Sequence, residues 1–436
     1  MFNRFFFKPI NNSALIVFRI ILGALIAIES FGAFATGWVK RVFIEPQFTF
    51  SFVGFEWLQP LEGNGMYYYY VIMGLLGICI TIGYKYRWSM LGFAFLWSGS
   101  YLMQKSSYNN HYYLLMLIAY IMCFLPANKR LSLDVKINPK SYNALMPNWC
   151  LVLIICQLWI VYTFGALAKI YPDWLNGTTM EILMRNKADY FLIGRLLQSE
   201  NLQLFLTYGG ILFDGLIIPI LLFKPTRIFG VITSFFFHLF NAIVFQIGIF
   251  PFLSLGFLIF FIQPERVEKT FFKSKNQQTK NLNFNYKKLT KLCIVTYLII
   301  QIVLPLRHWL IKDDVLWTEE GHRLAWRMML RAKTGVCKVH IFNHTYNRNF
   351  KVKLNKYLTA KQQKNLATKP DFMWQFAQRL KKEYANKGDS ISVYIYSKVS
   401  VNGKPYKTFI DSKKDLAATS WSHFKHHPWI LPSNAP

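Results

Sequence analysis

The chain has 436 residues, 53% of them hydrophobic and 18% aromatic, with only 16% charged and a formal net charge of +29. That is too apolar for an ordinary soluble enzyme and points to an integral membrane protein. Six cysteines without metal-ligand or disulfide-framework spacing read as packing residues.

Nine apolar runs follow one another, roughly 13–36, 66–84, 88–104, 110–126, 148–170, 203–223, 227–247, 249–263 and 292–306. Runs of about 17–25 residues cross a hydrocarbon core as helices, because in lipid a lone segment must satisfy its own backbone. The first run ends near Ala33-Phe34-Ala35, which resembles a signal-peptide cleavage site, but it is too long and holds Arg19 and Glu29. It is expected to be an uncleaved helix. The expected fold is therefore an all-α polytopic membrane bundle of about nine transmembrane helices over residues 1–306. Residues 264–291 read as a flexible, Lys- and Asn-rich connector and 307–334 as a junction.

From about residue 335 the pattern changes to alternation, with Val336, Lys338 and His340 on one face and Cys337, Val339 and Ile341 on the other. Residues 371–386 space Phe372, Phe376, Leu380 and Tyr384 as a helix, and Ile391–Tyr396 with Tyr406–Ile410 form a hairpin around Asn402-Gly403. The tail, 335–436, is thus a small α+β domain of ββαββ type. His423, His426 and His427 lack a nearby carboxylate or thiolate and read as a surface cluster; no metal is expected.

Charge sets the orientation. With the N-terminus inside, the short inside segments hold 18 Lys/Arg and the outside loops six. This obeys the positive-inside rule and places the C-terminal domain outside a cell (inner) membrane. The segment 307–436 carries 24 Lys/Arg against nine Asp/Glu. Its readings are a basic surface beside anionic headgroups or attraction of an acidic protein substrate; nucleic acid does not fit an outer face.

Polar residues interrupt the runs at Arg19, Glu29, Gln157, Asp214, His238, Asn241 and Gln246. Ionisable groups at membrane depth are costly and face the bundle interior. His238 and Asn241 share a helix face, and Asp214 stands at a depth similar to His238 on the preceding helix, where an Asp–His pair is one arrangement. Two further patches fall at the outer ends of helices: Lys105-Ser106-Ser107-Tyr108-Asn109-Asn110-His111 and Ala168-Lys169-Ile170-Tyr171-Pro172-Asp173-Trp174. Lys169 is either a snorkelling lysine or a desolvated one able to act as a base, and Asn109-Asn110-His111 either a capped turn or a site. An aromatic-rich membrane pocket suits a quinone.

With Phe237-His238-Leu239-Phe240-Asn241, Trp317 and Trp326-Arg327-Met328-Met329 in the same order, the chain resembles the vitamin K-dependent gamma-glutamyl carboxylases and related bacterial HTTM-domain proteins. The resemblance implies that Lys169 deprotonates reduced vitamin K, a menaquinol-type naphthoquinol. O2 then turns the anion into a strong base, which removes a γ-proton from a glutamyl residue so that CO2 adds to the carbanion. It makes His111 a helper in carboxylation and Asn110 an orienting residue beside Asn109, Tyr108, His238 and Asn241. Arg19, Asp214 and Trp326 stand behind them. Implied partners are the bilayer, a Glu-containing protein or peptide and a quinone reductase that recycles the cofactor. Two alternatives stand beside a carboxylase: a quinol epoxidase that carboxylates no protein, and a non-enzymatic scaffold or transporter.

Overall fold

A computed structural model describes residues 2–272 and 286–434. Each apolar run is a helix: α1 Ser13–Ala35, α2 Gly65–Ile82, α3 Tyr86–Met103, α4 Asn110–Phe124, α5 Trp149–Leu167, α6 Glu200–Leu222, α7 Arg227–Phe240, α8 Phe250–Phe257 and α9 Lys287–Leu306. Among the described residues six qualify as membrane spans on length and composition: α1, α2, α5, α6, α7 with its extension to Phe245, and α9 with its extension to Leu310. The expected count of nine falls short for identifiable reasons. Arg87, Ser89, Ser98 and Ser100 dilute α3, and α4 has 15 residues. The α8 segment, continued to Phe261, meets a helix over Pro264–Phe271 at 111°, so that this bent pair makes a seventh span only if counted as one.

That last helix corrects the expected connector. It is held by a bidentate Arg130–Glu268 pair at 2.7 and 2.5 Å; residues 273–285 of the same segment lie outside the described residues. The tightest helix pair is α1 against α2. A Cβ on Gly23 would meet the Thr81 backbone nitrogen at 2.5 Å, and one on Gly77 the Ala27 nitrogen at 2.6 Å. Small residues allow such approach where lipid provides no hydrophobic drive between helices.

The C-terminal domain is an antiparallel sheet of β1 Lys333–Asn343, β2 Arg348–Lys351, β3 Ile391–Val401 and β4 Lys407–Thr408 in the order β2-β1-β3-β4. Ile341 pairs with Val393, and Val339, Ile341, Val393 and Ile395 bury one face against Phe372, Phe376 and Leu380. Two helices cover that face, α10 Ala360–Thr368 and α11 Pro370–Ala385, where one was expected. Asn402 and Gly403 have φ of +52° and +74°, the left-handed pair that a tight hairpin turn requires.

This domain sits directly on the membrane helices. Asp371, in the first turn of α11, receives Lys105 at 2.5 Å and Arg323 at 2.7 and 3.1 Å. The Gln362 and Gln375 amides donate to the Phe48 and Ser51 carbonyls at 2.8 and 3.1 Å. Lys105, part of one outer patch, is thus buried under the domain.

Candidate active site

Lys169 lies just past the end of α5, but its ammonium turns back along the helix. It donates to the Gly165 carbonyl at 3.3 Å and forms a buried ion pair with Asp214, halfway along α6. Gly165 makes room for this: a Cβ there would stand 3.1 Å from Asp214 Oδ2. Lys169 therefore does not snorkel outward, and Asp214 pairs with it rather than with His238. The Lys169 ammonium also lies 5.7 Å from the Trp174 ring centroid.

Lys169, Asp214, His111 and Asn241 line one cavity of about 920 Å³ whose other walls are almost wholly apolar. His111 stacks on Phe250, ring centroids 4.0 Å apart. His238 stands behind that wall, with Nε2 3.1 Å from the Tyr162 hydroxyl and its ring 5.9 Å from Phe250. Its buried Nδ1 has no hydrogen-bond partner among the described residues. Asn241 opens a π-helical turn, Asn241–Phe245, that ends α7; such turns often mark functional positions.

Other sequence candidates serve the walls. Asn109 caps α4, its side chain accepting from the Tyr112 amide at 2.7 Å. The Tyr108 hydroxyl donates to Asn110 Oδ1 and accepts from the Leu324 amide, both at 2.7 Å, while Asn110 Nδ2 donates to the Arg327 carbonyl at 2.9 Å. Trp326 is fully buried and stacked on Tyr113 at 4.9 Å. These contacts pin a strained junction. Leu324, Trp326 and Met329 have φ of +58°, +55° and +52°, left-handed values that non-glycine residues rarely adopt. Such strain persists where surrounding contacts impose it. The result places Met328 and Met329 in the cavity wall.

This yields a graded expectation. Asn110→Ala strands the Tyr108 and Arg327 groups at a cost of about 1–3 kcal/mol. Asn109→Ala removes only a cap, about 1 kcal/mol. Thermal unfolding midpoints of the purified protein should rank them in that order, and equal midpoints would argue against the pinning role.

Arg19 is not brought to this site. It donates to the carbonyls of Ala127, Arg130, Thr81 and Leu131 at 2.6–3.2 Å and clamps α1 to the turn at 127–131. Glu29 accepts from the Tyr112 hydroxyl at 2.7 Å, Gln157 accepts from the Tyr297 hydroxyl at 2.6 Å, and Gln246 donates to the Tyr190 hydroxyl at 3.2 Å. The histidine cluster does have a carboxylate: Glu320 meets His426 Nδ1 at 2.7 Å and His427 Nδ1 at 2.6 Å, and His427 is buried. Among the described residues no group of three or more His, Cys, Asp or Glu side chains is placed to hold a metal ion. Nearby Glu319 pairs with Arg331 and, at 3.5 Å, with Lys333. Burial alone would raise its pKa, but these two cations hold the carboxyl well below its ordinary range.

Tyr162 and Phe250 were missed as site residues, and Trp174 stood in the Ala168–Trp174 patch without a role of its own. Tyr162 was within reach, because residues 162, 165, 166 and 169 fall on one helical face. Phe250 was not, since its contact with His111 joins segments far apart in sequence.

Residues 7–265 match the family model described as HTTM domain, and residues 286–436 match the one described as Vitamin K-dependent gamma-carboxylase, lumenal domain. No solved structure matches the chain.

Proposed function

The chain belongs to the HTTM-domain, vitamin K-dependent gamma-carboxylase family, and from that premise we propose a multi-pass membrane carboxylase. It couples oxidation of a reduced naphthoquinone by O2 to the carboxylation of glutamyl residues with CO2, a peptidyl-glutamate lyase-type reaction with quinol epoxidation. In this reading all nine helices build the membrane domain, residues 1–306, with the N-terminus cytoplasmic. Residues 307–334 join it to an extracytoplasmic domain at 335–436.

One observation carries the reading: a single ion pair, Lys169–Asp214, set in an apolar, aromatic-walled cavity with His111 and Asn241. The residues fit a quinol. Its rings match the apolar walls, and its hydroxyls match a base and amide or imidazole partners. When bound, reduced vitamin K supplies the oxygen chemistry that turns a weak protein base into one strong enough for a carbon acid.

The side chains have narrower tasks. Lys169 and Asp214 form one buried ion pair. A quinol bound there would set a hydroxyl against this pair, which would receive its proton, and the apolar walls would strengthen the Coulomb interactions by excluding water. His111, fixed by Phe250, faces the same cavity and assists carboxylation. Asn110 acts by holding the junction, and so the wall that contains Met328 and Met329.

The test is incubation of purified protein with reduced vitamin K, labelled bicarbonate and a Glu-containing peptide. Label in the peptide above a Lys169→Ala control is expected. Epoxide formed without peptide or CO2 dependence would replace the carboxylase with a quinol epoxidase.

A further inference from the structure

The chain does not pass directly from α5 to α6. Residues between them build a small unit of their own, in which Trp174, Met180, Met184 and Leu197 are buried together with Val244 of the π-helical turn that ends α7. Within it the sequence runs Asp189-Tyr190-Phe191-Leu192-Ile193-Gly194. Phe191 and Leu192 are 88% and 86% exposed there, and Leu196 follows at 58%. Large apolar side chains grouped on a surface in this way mark an interaction.

The tip they form is built, not loose. A Cβ on Gly194 would stand 2.0 Å from the Ala188 carbonyl oxygen, so the loop closes on itself where only glycine fits. The Gly194 amide donates to the Tyr190 carbonyl at 2.8 Å and the Ile193 amide to the Phe191 carbonyl at 2.9 Å. The Tyr190 hydroxyl accepts from Lys187 Nζ at 2.8 Å and from the Gln246 amide at 3.2 Å, which ties the base of the loop to the end of α7. Leu192 itself has φ of +66°, a left-handed value that a branched side chain rarely adopts. The surrounding contacts impose that strain. The result is a fixed backbone that holds two large apolar side chains outward.

We propose that the Phe191–Leu192 tip, with Leu196, is an interfacial anchor that inserts into the headgroup–acyl boundary of the leaflet where α5 ends and α6 begins. Three observations select lipid as its occupant. Both flanking helices qualify as membrane spans, so the tip is tethered at the bilayer surface from either side. The exposed row of α6, Phe205, Tyr208, Leu212 and Leu216, starts a few residues past Leu196 and continues the apolar surface along the chain. An aromatic side chain buries about 150–250 Å², so three side chains fall short of the roughly 800 Å² per partner of a stable protein interface. Charge defines the mode of insertion. Residues 178–200 carry Arg185, Lys187 and Arg195 against Glu181, Asp189 and Glu200, so apolar burial drives insertion rather than attraction to anionic headgroups. Met180, Leu183 and Ile193 of the same unit line the cavity, which makes the lipid surface one support of its wall.

The experiment measures immersion depth in the full chain. Nitroxide labels are placed by Leu192→Cys and Phe191→Cys in a Cys293→Ser background, with the labelled background subtracted, and the protein is reconstituted in phosphatidylcholine vesicles. Phe236→Cys, on an exposed membrane helix face, and Lys338→Cys, on the exposed face of β1, serve as the hydrocarbon and water references. Relaxation by dissolved oxygen, which enters lipid, is compared with relaxation by a water-soluble nickel chelate. The oxygen-to-nickel ratio at 191 and 192 is expected to exceed that at 338 by at least about threefold and to stay unchanged when phosphatidylglycerol is added. The second label keeps the result independent of the left-handed position at 192. A ratio equal to that at 338 would put the tip in water and overturn the proposal. Exclusion of both reagents would show a protein cover, from a second copy or another partner, and overturn it as well. A ratio that rises only with phosphatidylglycerol would replace apolar insertion by charge-driven binding.

Discussion

Lys169→Met is expected to lower label incorporation by about 100- to 10,000-fold, the usual contribution of a positioned acid–base group. Stability should follow a different pattern. Asp214→Leu leaves a buried ammonium unpaired and should cost about 3–5 kcal/mol. The double variant Lys169→Met/Asp214→Leu replaces the pair with apolar volume, which is commonly neutral or stabilising. Its unfolding midpoint should therefore recover to that of wild type or above while incorporation remains lost. Recovered stability together with recovered turnover would show that the pair is structural. Retained turnover in Lys169→Met alone would remove the lysine from the chemistry.

Asp371→Ala is expected to release the C-terminal domain from the membrane helices. It leaves Lys105 and Arg323 buried without their shared carboxylate, again about 3–5 kcal/mol. Burial by itself would raise the Asp371 pKa, but Arg323 and Lys105 outweigh it and hold the carboxyl well below its ordinary value. The sign follows from this depression. The folded state binds the Asp371 proton less readily than the unfolded chain, so the contribution is complete above the unfolded value of about 3.9 and fades as pH falls through the lower folded value. Hydrogen exchange at residues 105–108 should rise in acid in wild type, whereas Asp371→Asn should show high exchange already at neutral pH. Slow exchange in Asp371→Asn at neutral pH would show that the apolar interface suffices for docking.

The helices and the Asn402-Gly403 turn were legible because each is a local pattern: period or dipeptide. Whether Asp214 serves His238 or Lys169 was not legible. Depth from helix numbering takes the backbone of Lys169 to the outer end, but a long side chain folding back past Gly165 changes the level of the charge by several residues. Arg19 drew attention as an intramembrane cation, yet its partners are backbone carbonyls, which leave no mark in sequence. Helix α10 was missed because Leu366 and Ala367 are its only buried apolar residues. Its start was nevertheless written in Thr359 and Gln362, a capping box whose two hydrogen bonds both form. The carboxylate for His426 and His427 was missed because Glu320 is 106 residues away from the first of them.

The hairpin tip has a consequence for the order in which the molecule becomes competent. Asn402 donates to Asp173 at 3.0 Å and accepts from the Ala332 amide at 3.0 Å, and Lys404 pairs with Asp173 at 2.8 Å. Asp173 sits four residues past Lys169 and next to Trp174. A stretch of 233 residues, from 169 to 402, separates the lysine from the tip that finishes its surroundings. At synthesis rates of about 5–20 residues per second this is on the order of ten seconds or more. Throughout that interval the nascent chain carries Lys169 without the junction and hairpin that complete its surroundings. In the proposed carboxylase, a chain truncated before the hairpin is expected to show no label incorporation.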